Sequence, residues 1–347
     1  MKPSPHSLLG KLLAEASRIG HTTGLANAAA AIQKALGLGP DAKGPASPTS
    51  PPASPPPPAA PAAPAATPTA AAFHAGSFDT EAGTRAYKLF VPAGFAGQRL
   101  PLIVMLHGCT QDPDDFAAGT RMNTLAAAQG AIVLYPAQPP RSNSAKCWNW
   151  FQPADQHRGG GEPALLAAMT ADVIATQAVD PDRVYAAGLS AGGAMAAILG
   201  REYPDLFAAI GVHSGLPAGA ADNVMTAFAA MQKGASGPDP APPRTPIIVF
   251  HGDSDATVHP ANGDLLVAAL NTSASTPTIT EAAGRQVTHR SFRDSNGAIR
   301  AEHWLIHGAG HAWSGGSASG SYSDETGPDA SREMLRFFLA HPRPSVL

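Results

Sequence analysis

The chain has 347 residues, of which 44% are hydrophobic and 14% are charged. This is enough for one large single-core domain with a shorter appendage. The formal net charge of −3 gives no indication of a nucleic-acid or anionic-membrane partner. No stretch reaches the roughly 20 consecutive apolar residues that a transmembrane segment needs.

The first 72 residues differ from the rest in composition. Leucines and other apolar residues between Leu8 and Ile19 recur at helical spacing, and an Ala-rich pattern follows, so residues 1–38 are predicted to be a helical N-terminal segment. Such a small hairpin buries little by itself; it is either a weakly ordered leader or docks on a partner that the sequence does not identify. Residues 39–72 are dominated by Pro, Ala, Ser and Thr, which predicts an extended, disordered linker.

From residue 73 onward, apolar runs alternate with helical patterns. Strands are predicted at 85–91, 102–106, 131–135, 184–189, 208–212, 247–250 and 302–306, and helices at 163–179, 194–199 and 333–340. Uninterrupted apolar strands separated by helices predict an α/β domain over residues 73–345, with a mostly parallel sheet and helices on both faces. Gly and Pro clusters between residues 217 and 246 indicate either a mobile cap over the site or a surface loop.

One short motif indicates nucleophilic catalysis. The segment Gly188–Gly192 reads Gly-Leu-Ser-Ala-Gly and lies between a predicted strand and a predicted helix. The G-x-S-x-G pattern at such a junction is the nucleophile elbow of the α/β-hydrolase fold. The flanking glycines leave room for a sharp turn, and the helix N-terminus favours developing negative charge. We therefore predict Ser190 as the nucleophile and Ala191 N–H as one oxyanion donor.

A serine nucleophile needs a histidine base and a carboxylate that orients it, and in this fold they follow the serine in the order acid, then histidine. Asp253 and Asp255 both come just after a predicted strand. Asp253 better suits the turn itself, so we favour Asp255 as the acid. His311 follows the last strand in a glycine-rich loop and is predicted as the base, whereas His307 belongs to the end of that strand.

The strand at 102–106 leads into a loop that supplies the second oxyanion donor in α/β-hydrolases, which predicts Cys109 N–H for this role. The chain has two cysteines, Cys109 and Cys147, and they either form one disulfide or stay free and buried. Their place in a functional loop favours the bond. Trp148 and Trp150 next to Cys147 form either an apolar substrate wall or part of the core.

No metal site is predicted, since the His and Asp residues lack zinc-site spacing, and no cofactor is needed because the dinucleotide and P-loop patterns are missing from the sequence.

Several loops together resemble one known family. The segments 107–111, 120–123, 135–138, 147–151, 188–193 and 310–316 match, in order, the polyhydroxybutyrate depolymerase family of esterases, which also contains feruloyl and acetylxylan esterases. The resemblance covers residues 73–339. It implies an acyl-enzyme mechanism using Ser190, Asp255 and His311, and a substrate site that includes Trp313.

The family resemblance also implies a polymeric ester substrate, foremost a short-chain polyhydroxyalkanoate. The sequence shows no recognisable C-terminal polymer-binding module, which favours oligomers or soluble esters over a dense polymer surface. Feruloyl or acetylxylan-type hydrolysis, an acyltransferase on the same scaffold, and a targeting role for the N-terminal helices are the alternatives. The family implies an extracellular or periplasmic location. Lys11, Glu15 and Arg18, however, interrupt any signal-peptide core, so a cytoplasmic location is also compatible with the sequence.

Overall fold

The computed structural model describes residues 70–80, 83–236, 244–268, 270 and 272–344. The predicted helical segment 1–38 and nearly all of the predicted linker lie outside these residues. The first strand begins at Ala72, next to the boundary that the sequence predicts between linker and domain.

Strands and helices alternate through the domain. The strands are β1 (Ala72–Thr80), β2 (Gly83–Val91), β3 (Leu100–Leu106), β4 (Ile132–Pro136), β5 (Val179–Leu189), β6 (Ala209–His213), β7 (Ile247–Gly252), β8 (Ser273–Ala274), β9 (Thr278–Ala282), β10 (Arg285–Arg293), β11 (Ile299–Ile306), β12 (Trp313–Ser314) and β13 (Ser323–Asp324). The helices are α1 (Pro113–Thr120), α2 (Met122–Gln129), α3 (Gly161–Thr176), α4 (Ala191–Glu202), α5 (Val224–Lys233), α6 (Ala261–Ala268) and α7 (Ala330–Leu339).

In the described part of the chain, eleven strands form one sheet in the order β1-β2-β4-β3-β5-β6-β7-β11-β10-β8, with β9 paired to β10. Every pairing from β4 to β11 is parallel, and antiparallel strands extend both ends. The predicted α/β-hydrolase architecture, with its mostly parallel sheet, is confirmed. β12 and β13 pair separately as a short ribbon.

Two hydrophobic cores lie on opposite faces of the sheet, as the alternation of side chains along a strand requires. Leu102, Val104 and Leu106 of β3 pack in the core that holds α3, α4 and α5. Ile103 and Met105 face the other core, with α1, α2 and α7. All five side chains are fully buried, and burying each one contributes about 1.5–3 kcal/mol.

The parallel strands end together at one edge of the sheet. In the register of β3 with β5, Leu106 lies opposite Gly188, and in β11 with β7, Ile306 lies opposite Gly252. After β3 the chain crosses to β4 on one side, and after β5 it continues to β6 on the other side. The carboxyl edge at such a reversal of strand order is where α/β proteins bind ligands.

The structure also contains elements that the sequence did not reveal, chiefly β1, the β8–β10 group, α1, α2 and α6. Between 217 and 246, the described residues form a buried turn that continues into α5. No helix of the described residues is long and apolar enough to cross a membrane.

Candidate active site

Ser190 occupies a sharp turn between β5 and α4. Its backbone has φ 57° and ψ −120°, a strained conformation for a residue with a side chain. The turn is tight because β5, α4 and β3 meet there. A Cβ at Gly188 would lie 2.3 Å from Gly192 C, and a Cβ at Gly192 would lie 2.0 Å from Leu106 O. The two glycines of the motif are therefore required by packing.

The loop after β3, residues 107–111, lies beside Ser190 and is held from several directions. Thr110, which has φ 68°, donates its N–H to Ala145 O at 2.6 Å. Gly108 N–H donates to Gln111 Oε1 at 2.9 Å. Among the described residues, neither Cys109 N–H nor Ala191 N–H donates to another protein atom. Both groups are therefore free to bind an oxyanion.

Cys109 and Cys147 form a disulfide, with their Cα atoms 4.2 Å apart. The bond ties loop 107–111 to the segment 147–151, which we call the wall segment. The two cysteines are 38 positions apart in sequence, so closing this loop contributes about 4 kcal/mol to stability in the chain-entropy account.

Asp255, after β7, and His311, after β11, lie in contact. Asp255 Oδ2 accepts from His311 Nδ1 at 2.7 Å, while Oδ1 accepts the N–H groups of Thr257 and Val258, each at 2.9 Å. Burial pushes the pKa of Asp255 upward, but His311 and the Val258 N–H outweigh it and hold the pKa at about 2. Asp255 is therefore ionised and fixes which nitrogen of His311 carries the proton.

His213 joins the serine turn to the loop of His311. Its backbone O accepts from Ser190 N at 2.9 Å, and its ring Nε2 accepts from Ser314 N at 3.0 Å. Burial lowers the pKa of His213 to about 3, so the ring stays neutral. Ser190 Oγ and His311, which both belong to the described residues, form no hydrogen bond with each other. Hydrogen bonds between catalytic groups are often long until a substrate binds.

A pocket opens in front of Ser190, with an empty volume of about 420 Å³ that includes solvent at its mouth. Its lining is almost wholly apolar and consists of Cys109, Asn143, Cys147, Trp150, Phe151, Ser190, Ala191, Leu216, Ala227, Met231 and Val258. Val258 lines the pocket and donates its N–H to Asp255, whereas Asp255 and His311 themselves are not among the lining residues. The structure thus gathers Ser190, Ala191, Cys109 and Trp150 around one cavity.

Trp148 and Trp313 lie elsewhere, contrary to the substrate-site expectation. Trp148 is fully buried and donates its Nε1–H to His107 O at 3.1 Å. Trp313 stacks on His213 and donates to Ser331 Oγ at 3.0 Å. Each indole has its polar group satisfied inside the protein, as buried tryptophans require, so both support the site from behind.

A buried polar network behind the wall segment was not visible in the sequence. Glu162, on α3, accepts from Asn149 N at 2.7 Å, from Asn149 Nδ2 at 2.9 Å and from Gln138 Nε2. Gln138 also donates to Cys147 O at 2.9 Å and to His107 Nε2 at 3.1 Å, and it accepts from Arg85. The network connects Cys147 and the loop residue His107 to Arg85 of β2.

Glu162 is 6% exposed. Burial and the neighbouring Asp155 carboxylate raise the pKa of Glu162 to about 7, although Asn149 and Gln138 donate hydrogen bonds to it. The carboxyl group therefore changes its protonation near neutral pH, directly behind the wall segment.

Comparison with known proteins identifies the family of the chain. The family model described as Esterase PHB depolymerase matches residues 85–290, which is more than half of the chain. Poly(3-hydroxyalkanoate) depolymerase C of Paucimonas lemoignei is 33% identical over 260 residues, covering 70% of this chain and 61% of the relative. A probable acetylxylan esterase A of Aspergillus fumigatus is 31% identical over 205 residues, covering 52% of this chain and 53% of the relative.

Among solved structures, an acetyl xylan esterase from Aspergillus awamori matches with a TM-score of 0.58 and 22% identity, over 76% of this chain and 98% of the other. This likeness supports the fold. The chain spans between half and two thirds of the length of the curated relatives named above. The match of the family model over residues 85–290 establishes that the chain belongs to the esterase PHB depolymerase family.

Proposed function

We propose that the protein is a serine carboxylesterase with Ser190 as nucleophile, His311 as base and Asp255 as the orienting acid. The observation that carries the proposal is the position of Ser190. It lies on a strained turn and lines an apolar pocket together with Cys109 and Ala191, whose N–H groups have no partner among the described residues. Family membership supports the same activity.

In the proposed mechanism, His311 takes the proton of Ser190 Oγ as the oxygen attacks the ester carbonyl. The resulting oxyanion accepts hydrogen bonds from Cys109 N–H and Ala191 N–H, each typically contributing about 3 kcal/mol of transition-state stabilisation. His311 then protonates the leaving alcohol and activates the water that releases the acid. Asp255 stays ionised throughout and stabilises the imidazolium. The cycle requires no cofactor.

A short-chain hydroxyalkanoate polyester or its oligomers is the proposed substrate. The pocket walls are aliphatic and aromatic, and they suit a small acyl group without charge. The polar atoms of Asn143 are already used: its side chain binds Asn149 Oδ1 at 3.0 Å and Ala145 N at 3.0 Å. The relative from Paucimonas lemoignei is a poly(3-hydroxyalkanoate) depolymerase by name, which supports this class.

Acetylated polysaccharide is the second candidate substrate. The probable acetylxylan esterase from Aspergillus fumigatus matches at 31% identity, which supports this candidate. An acetyl group is also smaller than a hydroxybutyrate unit, so we expect the same pocket to accept it.

An extracellular or periplasmic location fits the Cys109–Cys147 disulfide, because such bonds form and persist in oxidising compartments. Thiol titration of the protein isolated from each cell fraction tests this. A protein found in the cytoplasm with two free thiols would contradict the proposal.

The substrate proposal is tested by initial rates on a small panel. The panel contains p-nitrophenyl acetate and butyrate, methyl ferulate, acetylated xylan and an amorphous hydroxybutyrate polyester, with Ser190→Ala as the control. We expect the polyester and butyrate to be hydrolysed, methyl ferulate to be a poor substrate, and Ser190→Ala to be inactive. Turnover of acetylxylan without polyester turnover would favour the second candidate. Wild-type rates in Ser190→Ala would refute both.

A further inference from the structure

A second aspartate–histidine pair lies directly beside the proposed catalytic one. Asp253 Oδ2 accepts from His307 Nδ1 at 2.8 Å, almost the same contact as between Asp255 and His311 at 2.7 Å. The inner side chains are 0% and 7% exposed for Asp255 and His311, whereas the outer ones are 36% and 32% exposed for Asp253 and His307. The outer pair is therefore partly open to solvent, whereas the inner pair is buried.

The outer pair joins the two loops that carry Asp255 and His311. Asp253 Oδ1 accepts from Gly308 N at 2.7 Å, and Asp253 N donates to Ile306 O at 3.1 Å. In addition, Ser254 N donates to Ala309 O at 3.1 Å. Both oxygens and the N–H of Asp253 thus bind the chain just before His311.

The loop of His311 is also fastened to β10 through the outer pair. Thr288 Oγ1 lies 2.8 Å from His307 Nε2, and Arg285 Nη1 donates to Gly308 O at 2.8 Å. His307 therefore uses Nδ1 for Asp253 and Nε2 for the Thr288 hydroxyl. The ring of His307 is therefore held at both nitrogens, between the loop of Asp255 and the antiparallel end of the sheet.

We propose that Asp253 and His307 form a positioning clamp that sets the geometry of Asp255 and His311. The inference rests on the proposed function, because the clamp would position the base of the proposed ester hydrolysis. The hydrogen bonds of Asp253 go to the chain just before His311, so the clamp is expected to act on the base rather than on substrate binding. Misplacing a catalytic group by about 1 Å costs as much as a hundredfold in rate.

The hydroxyl–imidazole–carboxylate chain Thr288–His307–Asp253 also has the composition of a catalytic triad. Gly308 N–H, the backbone donor next to His307, is already bound to Asp253 and is not free for an oxyanion. The positioning role is therefore the one that the contacts favour, and a second nucleophile is an outcome that the experiment must exclude.

The test uses His307→Leu, Asp253→Asn and His307→Asn. We expect His307→Leu and Asp253→Asn to lower kcat for p-nitrophenyl butyrate by about 10- to 100-fold, with KM changed by less than about twofold. His307→Asn keeps a donor at the place of Nδ1 and is expected to recover most of the rate. The downfield proton resonance of the His311–Asp255 hydrogen bond should broaden in His307→Leu and return in His307→Asn.

Asp205→Asn is the matched control, because it removes another solvent-exposed ion pair, Arg158–Asp205, far along the chain from the clamp. Unchanged kcat in His307→Leu and Asp253→Asn would overturn the clamp, as would rates in His307→Asn as low as in His307→Leu. Labelling of Thr288 by a fluorophosphonate in Ser190→Ala would also overturn it. Full activity of Ser190→Ala would instead refute the proposed function itself, so the two failures are distinguishable.

Discussion

The two sides of the Ser190 pocket are held in place by different means. On the oxyanion side, the Cys109–Cys147 disulfide and the buried network around Glu162 fix the backbone. On the acid–base side, hydrogen bonds to the carboxylates of Asp255 and Asp253 hold together the two loops that carry Asp255 and His311.

The difference follows from the two tasks that we propose for these sides. Oxyanion donors act by being in place before charge develops, so a covalent tie and a buried hydrogen-bond network suit them. A general base must gain and lose a proton in each cycle, so its supports must tolerate a change of charge. An ionised carboxylate such as Asp255 stabilises the positive charge that the base gains with the proton. A disulfide carries no charge and cannot stabilise the protonated base.

The largest effect should come from the acid–base side. Asp255→Asn should lower kcat by about 10⁴-fold, because the amide no longer selects the correct tautomer of His311. Asp253→Asn should have an effect at least about 100 times smaller, since that residue acts through position alone. Steady-state kinetics of the two variants on p-nitrophenyl butyrate checks this order. A larger loss in Asp253→Asn would reverse the assignment of acid and clamp.

On the oxyanion side, removing the disulfide should act mainly on stability. The double variant Cys109→Ser with Cys147→Ser should lose about 4 kcal/mol of unfolding free energy, as expected for a loop of this length. Activity should fall as well, because both cysteines line the pocket. Urea denaturation of wild type and variant, each with and without reductant, measures the loss. Equal stability of reduced and oxidised wild type would show that the bond is dispensable.

The smallest effect should be a pH dependence from Glu162. Its folded-state pKa of about 7 lies above the ordinary value of 4.5, so its contribution to stability is complete below about pH 4.5 and is lost as pH rises through 7. Glu162→Gln cannot ionise. The advantage of wild type over this variant should therefore shrink between pH 5 and pH 8, by at most about 3 kcal/mol. A difference in unfolding free energy that stays constant with pH would contradict the raised pKa.

Much of this architecture was predictable from the sequence. The parallel strands are continuous apolar runs because both of their faces are buried, and β3 and the second half of β5 illustrate this. The G-x-S-x-G pattern, and the expected order of acid and histidine after it, led to Ser190, Asp255 and His311. The structure brings the last two into contact, and their catalytic roles stay predictions until the variants are measured.

Other features lacked a local signal. β1 and β9 are exposed along most of their length, so no alternation of apolar residues marks them. The Glu162 network and the Asp253–His307 clamp join residues far apart in sequence, such as Arg85 with Gln138, and no spacing rule indicates such meetings. The sequence could not decide whether the tryptophans line the substrate pocket or pack in the core. In the structure, Trp150 lines the pocket, whereas Trp148 is fully buried and does not line it.

The central claim, an acyl-enzyme on Ser190, is tested most directly by trapping that intermediate. The protein is mixed with p-nitrophenyl butyrate, quenched in acid during the burst, digested and mapped by mass spectrometry. The account predicts one butyryl group per chain, on the peptide that contains Ser190, and none in Ser190→Ala. A butyryl group on another residue, or steady turnover with no acylated peptide, would contradict it.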